Sequence, residues 1–152
     1  MKKEEHYVVV FIAIFFVFLT IVSFSGINKT YTLSQFEEQM KEKGYDFDIK
    51  SVQSDFIPTT RKRMIIDDKS IDIYIFHNNI NMENEAKNIG SNGFSYKSNT
   101  RDTTRIINVG WVAPPHFYKK GRIIVQYVGS DQKILTDLKN IFGGQFIGEK
   151  EE

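Results

Sequence analysis

Two kinds of hydrophobic pattern follow one another along the chain. From Tyr7 to Ile27 no position is charged and nearly all are apolar; beyond it, apolar residues recur at spacings of two, or of three and four. As a helix the first stretch would be about 31 Å long, matching a ~30 Å hydrocarbon core. It predicts a transmembrane helix over 7–27, a signal anchor preceded by a charged head at 1–6. With no polar face, such a run has no place in the core of a small domain. Ser23 and Ser25 also make a small-x-small pattern, so cleavage before Gly26 and secretion is the alternative. The run is longer than the ~7–15 residues of a signal-peptide core, which favours retention. Lys2 and Lys3 precede the span and Lys29, Lys41 and Lys43 follow it, so the count of basic residues does not orient it; a short basic head before an apolar run reads as an export signal, which favours the head inside and the rest outside.

After a linker at 28–31, residues 32–147 read as one extracytoplasmic domain, with 148–152 as a flexible tail. Thr32–Gly44 has a helical stripe of Leu33, Phe36 and Met40, a capping box of Ser34 and Glu37, and Gly44 as a stop. Tyr45–Lys50 alternates as a half-buried strand. Gln53–Thr60 is a loop. Arg61–Ile66 and Ile71–Phe76 form a hairpin about the polar turn Asp67–Ser70, with Ile71, Ile73 and Ile75 on one face. Asn81–Ile89 is a short helix capped by Asn81. Ser91–Thr103 is polar and carries no element. Arg105–Val112 and Arg122–Val128 are strands. Ser130–Phe142, capped by Ser130 and stopped by Gly143 and Gly144, is the strongest helix. The order αβ-ββα-ββα implies an α+β fold: an antiparallel sheet with helices packed on one face.

The stretch Trp111–Gly129 holds the only tryptophan and two of the three prolines. Pro114 and Pro115 exclude a helix, and Gly121 suits a turn with positive φ. The expectation is two antiparallel strands joined by a stiff, aromatic-tipped loop, with Trp111 packed at its foot. His116, Phe117, Tyr118, Lys119 and Lys120 at that tip are the candidate partner contacts, since aromatic residues dominate binding hot spots. Together with the Phe-Gly-Gly-Gln-Phe end at 142–146, the stretch resembles a family of small exported, lipoprotein-like proteins of spore-forming Gram-positive bacteria. The similarity runs from about Thr32 to Phe146 and implies export and membrane attachment, but no activity. Such lipoproteins carry a cysteine after the apolar run; this chain has none, which excludes lipidation there.

The absence of cysteine also excludes disulfides and thiolate chemistry. A formal net charge of +1 carries no polyanion signal, so no nucleic-acid partner is expected. His77 and His116 are the only histidines beyond the head, too few for a zinc site without carboxylates such as Asp67, Asp68 or Asp72, and no such spacing is present. Glu83 and Glu85 point apart on a helix, 90–93 lacks a phosphate-loop lysine, and no serine sits in a nucleophile elbow. Neither a cofactor nor an enzyme is expected. The expected function is a membrane-anchored extracytoplasmic binding domain. Its partners are the bilayer, through 7–27, and an unidentified membrane or cell-envelope protein. A structural or regulatory subunit acting through its transmembrane helix is the alternative.

Overall fold

The computed structural model describes residues 30–148, so the head, the 7–27 span and residues 149–152 lie outside it. Among the described residues no helix is long and apolar enough to cross a membrane.

The order is α1 (Leu33–Glu42), β1 (Asp48–Val52), β2 (Thr60–Ile66), β3 (Lys69–Ile75), α2 (Asn79–Ala86), β4 (Ser95–Asn99), β5 (Thr104–Asn108), β6 (Pro115–Lys120), β7 (Ile123–Val128) and α3 (Gln132–Phe142). Five strands make an antiparallel sheet in the order β1-β2-β3-β7-β6, and β4 and β5 form a separate ribbon. The fold is α+β with an antiparallel sheet, as the pattern implies.

The helices do not share one face. Phe36 and Met40 of α1 and Ile134, Leu135, Leu138 and Ile141 of α3 pack with Ile71, Ile73, Ile123, Val125 and Tyr118 in one core. A second core lies on the opposite face. There Met82 and Ala86 of α2, with Tyr96 and Ile57, cover Tyr74, Phe117 and Ile124. The reason lies in β7, Ile-Ile-Val-Gln-Tyr-Val: a nearly continuous apolar run supplies side chains to both faces, as strands covered on both sides do. Ile57, in the expected loop, is fully buried in this second core.

The central stretch also differs from expectation. Gly121 takes φ +58 in a tight turn, so the residues immediately before it must pair with β7. These are Pro115–Lys120, in register from Pro115↔Val128 to Lys120↔Ile123. The presumed loop tip is therefore a strand. Pro115 is tolerated because it opens an edge strand. Arg105–Val112 instead yields β5, which pairs with the polar Ser95–Asn99 segment and never joins the main sheet. The hairpin turn at 67–68 is tighter than drawn from sequence, with Ile66 opposite Lys69 and Asp67 at φ +52.

Helix caps shift by a few residues. Gln35 Oε1 accepts from the Thr32 N–H at 3.0 Å, so Thr32, not Ser34, begins α1. Asn78 caps α2, accepting from Asn81 N–H at 2.8 Å, and Asp131 caps α3 through the N–H groups of Lys133 and Ile134. The first strand starts at Asp48 rather than Tyr45, although Tyr45 and Phe47 pack against the first core. Tyr31, expected in the linker, is buried; its carbonyl accepts from Arg122 N–H at 3.2 Å. A side chain on Gly121 would meet the Tyr31 backbone at 2.4 Å, so only glycine admits the entering chain here.

Candidate functional site

The expected contact residues lie mostly inside the protein. His116 is 7% exposed, Phe117 0% and Tyr118 3%. In a strand covered on both faces alternate side chains enter alternate cores: Phe117 packs in the second core and Tyr118 in the first. His116 stacks on Tyr127 at 6.4 Å, and its Nδ1 lies 2.7 Å from Gln145 Oε1. Lys119 pairs with Glu83 at 2.5 Å and lies over the Phe146 ring. Lys120 lies over the Tyr31 ring and donates to Ile141 O at 2.8 Å, where a cation complements the C-terminal turn of α3. The five side chains serve the fold and present no common surface. Gln145–Ile147 turns back onto β6: Phe117 N–H donates to Ile147 O at 3.0 Å, and Phe146 N–H to Phe117 O at 2.9 Å.

An open surface exists beside them, where the 91–94 turn meets the 111–115 loop. Trp111 is half-buried and belongs to no strand. Its ring meets Phe56 and Phe117 edge-on at 5.9 and 6.4 Å, and its Nε1–H donates to Gly93 O at 2.8 Å. Gly93 adopts φ +78, and a Cβ there would lie 3.0 Å from Pro115 Cγ and 3.1 Å from Phe117. Pro114 O accepts from Gly129 N–H at 3.1 Å, which ties the loop to the end of β7. These contacts frame a groove of about 410 Å³ lined by Phe94, Trp111, Val112, Ala113, Pro114 and Pro115, together with Ser91, Asn92 and Gly148. Val112 is 102% exposed and Phe94 45%. No titratable side chain lines it. Its chemistry is apolar contact with a few polar anchors, without an acid, base or metal ligand.

The densest polar group lies on the second face of the sheet. Asp72 receives Arg61 at 2.5 Å and Arg63 at 2.7 and 2.9 Å; Asp55 receives Arg61 at 3.1 Å and Tyr74 Oη at 2.8 Å. Tyr74 Oη also lies 2.9 Å from Gln126 Oε1. Burial, with Asp55 nearby, pushes the Tyr74 hydroxyl far above the usual phenol range, so it stays protonated. Burial and Glu85 do the same to Tyr96. These phenols are structural donors. Among the described residues no group of three or more His, Asp or Glu could hold a metal ion, and His77 stands exposed.

Sequence reasoning missed the groove because Ser91–Thr103 carries no apolar periodicity. The available signal was Phe94 beside Gly93, an aromatic residue in a polar turn. No protein-family model, curated protein or solved structure matches the chain.

Proposed function

We propose that the protein is a non-catalytic, membrane-anchored extracytoplasmic binding domain, and that the Phe94–Trp111–Val112–Pro115 groove is its contact surface. The observation that carries this reading is the groove itself: fixed walls, apolar lining and a fully exposed Val112 at its lip. Binding sites are typically preformed concave apolar surfaces with a few polar groups at the rim. A wall already ordered by Trp111 and the prolines loses little conformational entropy on binding.

An anchor over 7–27 would hold the domain with this groove away from the membrane. The chain enters at Tyr31, against the Gly121 turn, at one end of β6. The groove opens at Pro115, the other end, about 17 Å away along a strand of this length. A domain held at Tyr31 therefore has its groove at the end remote from the attachment.

The test is site-specific photo-cross-linking of the full-length chain in its native host. A photoreactive residue at Val112 or Phe94 should yield an adduct with another protein, whereas the same residue at Lys50, exposed on β1, should not. Equal labelling at all three positions, or none at Val112, would overturn the groove as the contact surface.

A further inference from the structure

The open edges of the sheets are protected unequally. β6 is covered by Phe146 and Ile147. β1 carries Asp48 and Lys50, and symmetric pairing about Lys50 would set two ammonium groups face to face. The outer edge of β4 is occupied, with Gly90 N–H donating to Ser95 O and Lys97 N–H to Asn88 O, both at 2.8 Å. β5 has no such cover among the described residues. All five of its residues are exposed, Ile106 by 62% and Ile107 by 39%, and it contains neither proline nor a bulge.

The ladder shows which groups face outward. Thr100 N–H donates to Thr103 O at 2.8 Å and Val109 N–H to Phe94 O at 2.9 Å. Alternate pairs in an antiparallel ladder exchange hydrogen bonds, so Ser98 with Arg105 and Tyr96 with Ile107 face each other. The N–H and C=O groups of Thr104, Ile106 and Asn108 therefore point away from β4.

We propose that β5 pairs with β5 of a second copy of this chain, antiparallel and centred on Ile106, joining the two ribbons across a two-fold axis. In this register Thr-Arg-Ile-Ile-Asn sets a polar pair at each end and an apolar pair at the centre. Thr104 meets Asn108, Ile106 meets Ile106, and each of these pairs brings outward-facing backbone groups together. Arg105 meets Ile107, so no like charges oppose. Centring on Thr104 or Asn108 instead would leave half of the strand unpaired. A two-stranded ribbon is marginal alone, and adding strands is what stabilises it. The partner is a second copy because the strand's own residues supply both halves of the match.

An edge this short buries less than a standard interface of ~1,600 Å², so the association is best read by cross-linking in place. The chain has no cysteine, which leaves single-cysteine variants of the full-length protein without background. Under an added oxidant, Ile106→Cys should form a disulfide-linked dimer, since facing residues in such a pair lie ~5.5 Å apart at Cα, within disulfide reach. Thr104→Cys and Asn108→Cys should each stay monomeric alone, because like residues are then ~13 Å apart, yet cross-link when the two chains are co-expressed. Adding Ile106→Pro to that mixed pair should abolish the link, since it removes an outward N–H and no bond to β4. An Ile106→Cys chain that stays monomeric, singles that link as readily as Ile106→Cys, or linkage to a protein of different mass would each overturn the proposal.

Discussion

Tyr118 and Lys119 are neighbours in β6 and serve opposite layers. Tyr118 enters the first core beside Phe142, at 6.1 Å between ring centroids, while Lys119 reaches Glu83 of α2 on the other face. From sequence both belonged to one exposed tip, since neighbours in a loop need not alternate. Only the strand assignment separates them. The consequence is measurable. Tyr118→Ala should destabilise the protein by about 3–5 kcal/mol, as emptying a large core site does. Val112→Ala, at a fully exposed position, should change stability by less than about 0.5 kcal/mol. Urea denaturation of the full-length chain decides: equal, small effects would place Tyr118 at the surface.

The helices were legible as elements, and their ends were not. The periodicity of α3 picks out Ile134, Leu135, Leu138, Ile141 and Phe142; the first four are buried and Phe142 is half-buried against the same core. Its cap falls on Asp131 rather than Ser130 because the Asp131 carboxylate reaches the N–H groups of both Lys133 and Ile134. That contact with Ile134, aided by Lys69, holds the Asp131 carboxyl below its ordinary range. At Asp137 burial acts upward, but hydrogen bonds from Tyr45, Lys43 and Lys133 outweigh it and lower the carboxyl too. A carboxyl depressed in the folded state contributes stability above its unfolded pKa of ~3.9, and that stability is lost as pH falls through the folded value. The melting temperature of the full-length chain should therefore drop on acidification below about pH 4. In an Asp131→Asn/Asp137→Asn variant the acid slope should be shallower and the neutral melting temperature lower; asparagine still caps the helix. An unchanged acid slope would show that other groups carry the pH dependence.

For the whole molecule, the decisive question is attachment. The uncharged Tyr7–Ile27 run should make the full-length protein sediment with membranes in its native host, resist high-salt washing and be cut by external protease. A mature species beginning at Gly26 would instead show secretion. Protection from external protease in wall-less cells would reverse the orientation.

Sequence alone determined the class of fold, because alternation and helical stripes are local: β2, β3, β7, α1 and α3 lie within a few residues of where the pattern puts them. It also determined the positive φ at Gly121. Tertiary structure decided what periodicity cannot encode. The β3–β7 centre is covered on both faces, so α2 packs opposite α1 and α3. Pro115–Lys120 became the edge strand because the Gly121 turn brings those residues against β7. The polar Ser95–Asn99 became a strand because β5 on one side and residues 88–90 on the other satisfy its backbone groups. The groove arises where segments distant in the chain converge on Trp111, and no spacing within either segment records that meeting.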